Sequence, residues 1–171
     1  MSNQHFKTPH LYALKGGELS ISSKELLVLM EAVLAKNRLF RFRAKGWSMA
    51  PFIRDGDFIT VGPLAGKPPQ LGEVLAFIHP HSGNLVVHRA IAVDEKGVLI
   101  RGDSIQAGPD GFIPFTDLVG RVTRVEREDR RVWIGLGCER YLVAWLSRMG
   151  WLKPIYIWLS KWFWKPLKRI F

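Results

Sequence analysis

The chain has 171 residues, 47% of them hydrophobic and 23% charged, which supports one compact core and excludes both extensive disorder and two full domains. The single cysteine, Cys138, excludes an internal disulfide framework, and His5, His10, His79, His81 and His88 lack zinc spacing, so no metal or cofactor is expected. The net charge of +10 is uneven: Glu139 to Phe171 holds seven cations, one anion and five of the seven tryptophans.

The polar opening from Met1 to Lys7 has no apolar run of the kind a secretory signal needs. Ser22-Ser-Lys-Glu25 fits a capping box, and Leu26, Leu27, Met30, Val33 and Leu34 then recur at helical spacing. This predicts an amphipathic helix over residues 23–36, too short and too charged to span a bilayer. From Phe40 the period changes to two: Phe40, Phe42 and Ala44 alternate with Arg41, Arg43 and Lys45, the pattern of a half-buried strand. Further short strands are expected over Asp57–Val61, Glu73–Ile78, Leu85–Val93, Val98–Arg101, Leu118–Glu126 and Arg131–Ile134. Gly, Pro, Asn and Asp turns separate them. Strands without intervening helices predict a mainly β domain, an antiparallel barrel-like or folded sheet, over about residues 38–137. A leader with one helix (1–37) precedes it, and a basic, Trp-rich helical tail (138–171) follows.

The tail returns to helical period, with Leu142, Trp145, Leu146 and Met149 before Gly150 and Ile155, Trp158, Leu159 and Trp162 after Pro154. Gly150 and Pro154 divide it into two short amphipathic helices. Indole mixed with Lys and Arg suits the headgroup region of an anionic membrane. Aromatic and basic surfaces also bind single-stranded nucleic acid, but no nucleic acid is expected here. Packing on the sheet or dimerisation through these helices is the alternative use of their apolar faces.

One stretch carries chemistry. In Gly46-Trp-Ser-Met-Ala-Pro-Phe-Ile-Arg-Asp-Gly-Asp57, a serine sits between a strand end and a Pro-containing turn, and Gly56-Asp57 turns the chain into the next strand. Alone, such a serine is an ordinary turn residue. The boxes that follow change that reading: Gly72-Glu73-Val74-Leu75-Ala76-Phe77, Val87-His88-Arg89-Ala90-Ile91 and Arg101-Gly102-Asp103-Ser104.

Together with Ser48-Met49-Ala50-Pro51, these boxes resemble, in order and over about residues 43–121, the type I signal peptidases and the LexA-type self-cleaving repressors. The resemblance implies that Ser48 is a nucleophile and that the basic residue beside Arg89 activates it. Most bacterial members have lysine there. His88 is similar instead to the endoplasmic-reticulum and archaeal signal peptidases, where Ser and His are completed by an Asp. Neutral imidazole takes a hydroxyl proton near neutral pH without the dry pocket that a lysine base requires.

By that likeness Asp110 would orient His88, with Asp103 in support; both also read as turn residues, in Gly102-Asp103 and Pro109-Asp110-Gly111. The Ser48 backbone N–H is the natural oxyanion donor, and a second donor is not identified. The implied activity is serine-type endoproteolysis of an extended precursor or leader peptide after small residues. Residues 1–45 contain no spanning helix, so a cytoplasmic or peripheral location on the cytosolic face is expected. A LexA-like regulatory protein is the alternative, but only one clear helix precedes Ser48 and no Ala-Gly dipeptide stands before it. An inactive peptidase-fold module that binds membranes is another.

Overall fold

The helix read from the 3.6-residue period forms over Ser23–Ala35 (α1) in the computed structural model, which describes residues 23–104, 109–132 and 135–149. Met30 and Leu34, one turn apart, are buried, while Val28 and Leu29 face outward. Asn37, at φ 57°, ends the helix: its N–H donates to the Leu34 carbonyl (2.8 Å) and that of Arg38 to the Val33 carbonyl (3.3 Å). These two bonds satisfy carbonyls that the helix would otherwise leave open.

Eight strands follow: β1 (Phe40–Arg43), β2 (Phe58–Gly62), β3 (Val74–Ile78), β4 (Leu85–Val93), β5 (Gly97–Arg101), β6 (Pro109–Pro114), β7 (Leu118–Arg127) and β8 (Arg130–Val132). They form one open antiparallel sheet in the order β1-β2-β7-β3-β4-β5-β6, with β8 beside β7. The expected mainly β antiparallel architecture is present as an open sheet, since β1 and β6 end it without pairing to each other. β7 joins the two halves, pairing its first residues with β3 and the rest with β2. Register breaks at Thr60/Val61, Ala76/Phe77, Ala90/Ala92 and Ile100/Arg101 are where such a sheet bends.

β3 is covered by apolar side chains on both faces. Val74 and Ala76 pack with Met30, Leu34, Met49 and Ile53, whereas Leu75 and Phe77 pack with Ala90, Val98, Ile100 and Ile113. Successive side chains point to opposite faces, so a strand covered on both must be apolar throughout, as Val-Leu-Ala-Phe-Ile is.

One strand was not expected. Pro109-Asp110-Gly111 reads as a turn, yet it opens β6, which pairs with β5 from Gly97↔Pro114 to Arg101↔Pro109. β6 is an edge, where proline's missing donor can face away from the ladder, and Gly111 takes φ +96° beside the β5 register break. The last expected strand is β8, reached through Glu128 and Asp129 at φ 48° and 60°, the conformation of a two-residue hairpin turn.

The first tail helix forms over Arg140–Arg148 (α2) and packs against β4 through buried Val143, Ala144 and Ser147. Arg101 Nη1 donates to the Ser147 carbonyl (2.9 Å), and Arg140 Nη2 to Gln70 Oε1 (2.7 Å). Before the helix, Glu139 accepts hydrogen bonds from the N–H groups of Gly135 (2.7 Å) and Gly137 (3.0 Å). Its own backbone amide, then those of Gly137 and Gly135, hold its carboxyl below the usual range. A lowered folded-state value means that these hydrogen bonds stabilise at neutral pH and that their contribution is lost as pH falls through that value. Ser22 of the capping box, residues 133–134 and the second tail helix lie outside the described residues. Among the described residues, no helix is long and apolar enough to cross a membrane.

Gly72 shows how closely α2 docks. At φ +83° its Cβ would lie 2.6 Å from the Arg140 carbonyl oxygen. Gly72→Ala should therefore lose about 1–3 kcal/mol of stability, from the contact and the backbone conformation together. Chemical denaturation measures this, and an unchanged midpoint would contradict the close approach.

Candidate active site

The serine loop is closed at its base and anchored underneath. Ala44 N–H donates to the Asp57 carbonyl (2.7 Å) and Gly56 N–H to the Ala44 carbonyl (2.9 Å), so residues 44–57 form a loop between β1 and β2. Gly46, at φ +94°, donates its N–H to Asp55 Oδ1 (2.8 Å). Met49 and Ile53 point down into the core. Buried Asp57 accepts from the Arg54 N–H (2.8 Å) and, at 2.9 and 2.7 Å, from Arg127 Nε and Nη2. With the apolar members turned inward, Ser48 is left exposed beside Trp47. Among the described residues the Ser48 amide donates no hydrogen bond, while its carbonyl accepts one from the Ser104 N–H (2.8 Å).

The other half of the site is on β4, where His88 and Arg89 project to opposite faces. His88 lies beside Phe77, with ring centroids 6.2 Å apart, and its Nδ1 is 2.5 Å from Asp110 Oδ2. Both side chains are largely buried, at 9% and 14% exposure. β5 stands between β4 and β6 and pairs with β4 only from Arg89 onward. His88 therefore sits just past the end of β5, where the β6 carboxylate meets it.

Arg89 is fully buried. Its Nε donates to both carboxylate oxygens of Asp103 (2.9 and 3.1 Å), Nη2 donates to Asp103 Oδ2 (2.7 Å), and Nη1 donates to the carbonyls of Gly72 (2.8 Å) and Gly135 (2.7 Å). The Phe52 ring of the serine loop lies 5.4 Å from the guanidinium. The two aspartates thus have different partners: the hydrogen bonds of Asp103 go to Arg89, and that of Asp110 goes to His88. Asp103 therefore meets the strand at Arg89, the neighbour of His88, and makes no described contact with the imidazole. Sequence reasoning quoted Arg89 without giving it this role, although an arginine between Val86-Val87 and Ala90-Ile91 signals one, because a charge enters such a strand only with partners.

A groove of about 1060 Å³ runs between the two halves, with Phe42, Ala44, Ser48, Met49 and Ile53 on one side and Leu85, Val86 and Val87 on the other. Ser48 lines this space together with Leu85, Val86 and Val87 of β4, whereas His88 and Asp110 are not among its lining residues. Among the described residues, no hydrogen bond joins the Ser48 hydroxyl to the imidazole. His79 and His81 stand apart from the groove lining, at the β3–β4 connection, with rings 5.6 Å apart. No family model, curated protein or solved structure matches the chain.

The two acid pairs should respond differently to mutation. Asp103→Ala leaves a buried guanidinium without its counter-charge, at a cost of about 3–5 kcal/mol. Asp110→Asn keeps an oxygen to accept from the imidazole and should cost about 1 kcal/mol or less. Denaturation midpoints of the two variants check this, and equal losses would contradict the separation of roles.

Proposed function

We propose that the protein is a serine endopeptidase that cuts an extended precursor or leader peptide, with Ser48 as nucleophile, His88 as general base and Asp110 as the group orienting His88. The observation that carries this reading is the 2.5 Å contact between His88 Nδ1 and Asp110 Oδ2, on the strand that borders the Ser48 groove. A carboxylate at Nδ1 favours the tautomer with its proton there and leaves Nε2 to accept.

Nε2 takes the Ser48 hydroxyl proton as Oγ attacks the peptide carbonyl carbon. The negative charge that develops on the carbonyl oxygen needs donors, and the Ser48 N–H, not used by any described partner, is available. Collapse of the tetrahedral species breaks the C–N bond, and Nε2–H passes its proton to the departing amine. Water, activated by the same imidazole, then hydrolyses the ester and restores the serine.

The apolar side chains of Phe42, Ala44, Met49 and Ile53 suit small or aliphatic residues around the cut bond. On its β5 side, β4 meets no described strand at Val86–His88, and an extended peptide can add to such an edge. Asp103 belongs to this reading as a positioning residue that acts through Arg89. Location on the cytosolic side is part of the same proposal, and the exposed free thiol of Cys138 agrees with a reducing compartment.

The missing hydrogen bond between Ser48 and His88 favours a second reading, a peptidase fold without catalysis. Catalytic hydrogen bonds are often long before substrate binds, which leaves the first reading in place.

Cleavage of unstructured peptides, read by mass spectrometry, distinguishes the two. Ser48→Ala and His88→Ala should each lose nearly all turnover, with the double variant no worse, since members of one proton-transfer unit are not additive. His88→Lys should not rescue, because Asp110 would hold an ammonium in its charged form. Wild-type cleavage by Ser48→Ala would reject the mechanism.

A further inference from the structure

The outward face of α2 runs against the usual arrangement of a surface helix. Its buried side carries Val143, Ala144 and Ser147, while its larger apolar side chains, Leu142, Trp145 and Met149, are 58, 50 and 56% exposed. At about 100° per residue these three fall in one stripe with exposed Tyr141 and Arg148. The helix does not await docking through another face, because its inner side already rests on β4 and Arg101 holds the Ser147 carbonyl.

We propose that this stripe is the contact surface for an anionic membrane. The charge of the surroundings selects that occupant. The outward stripe contains Arg148 and no acid, and Glu139 at the head of the helix is engaged with the amides of Gly135 and Gly137. From Gly150 to Phe171 the sequence adds Lys153, Lys161, Lys165, Lys168 and Arg169 with no Asp or Glu, and four tryptophans. A second copy would bring the same excess of cations against this face, whereas a surface of anionic headgroups neutralises it. Tyr and Trp suit headgroup depth, and Leu142 and Met149 suit the acyl boundary just beneath, the depth at which an in-plane helix rests. Docked on β4, the helix would hold the Ser48 groove at a fixed orientation to the lipid.

The test uses full-length protein and two kinds of vesicle, phosphatidylcholine alone and phosphatidylcholine mixed with phosphatidylglycerol. Wild type should sediment with the mixed vesicles and bind them about tenfold more weakly in high salt, because exposed charges are screened there. Leu142→Ser with Trp145→Ser removes the centre of the stripe and should weaken binding by at least about tenfold. Should that variant fold poorly in a thermal melt, Arg148→Glu, an exposed charge reversal, should still weaken binding severalfold. Ser48→Ala should bind as wild type does, so a failed peptidase reading would leave this result untouched. Three outcomes would overturn the proposal: wild type that ignores mixed vesicles, stripe variants that bind them like wild type, or a wild-type dimer that the stripe variants convert to monomer without any vesicle binding.

Discussion

A fully buried guanidinium must be neutralised and must have its donors satisfied, and that requirement at Arg89 organises the molecule. Its partners come from four separate parts of the chain: Asp103 after β5, the Gly72 carbonyl before β3, the Gly135 carbonyl before α2, and the Phe52 ring in the serine loop. Arg89 can be buried only if all of these converge. Once they do, the strand that carries His88 is fixed relative to the loop that carries Ser48. The bond from Ser104 N–H to the Ser48 carbonyl extends the same tie by one residue beyond Asp103.

The proposed chemistry uses the two faces of one strand. Toward one face, Arg89 takes up Asp103 in a closed network with no solvent access. Toward the other, His88 meets Asp110 just past the end of β5, with both side chains largely buried. If both carboxylates served the imidazole, Arg89 would lack its counter-charge. On the far side of the groove, Asp57 and Arg127 perform the corresponding task, with Arg127 Nη2 also reaching the Phe52 carbonyl (3.2 Å). Hydrogen bonding to Asp57 raises the Arg127 guanidinium further above its ordinary value, so this anchor stays charged at any working pH.

How much of this was legible in the sequence follows from which features are local. The period of α1 and the bounds of β4 follow from the spacing of apolar residues, because each element buries a face of its own. β6 was hidden because Pro109, Gly111 and Pro114 are turn residues by composition and become strand residues only through pairing with β5. The orientation of α2 was hidden for a different reason. Leu142, Trp145 and Met149 mark an apolar face, yet the face that packs is the one with small residues, which fits close against β4. As candidates, Ser48, His88 and Asp103 came from the order of the boxes and Asp110 from its spacing after the last of them. The pairing of Asp110 with His88 was expected from the family resemblance, whereas the partner of Asp103 was not: Asp103 stands in a similar turn sequence but meets Arg89 on the other side of β4.

The claim that Ser48 attacks the peptide is tested most directly by rapid acid quenching of a cleavage reaction, followed by digestion and mass spectrometry of the peptide containing Ser48. The account predicts an ester-linked acyl fragment of the substrate on Ser48, absent when His88 is replaced by Ala. Efficient cleavage with Ser48 unmodified throughout the reaction, or an acyl fragment on another side chain, would contradict it.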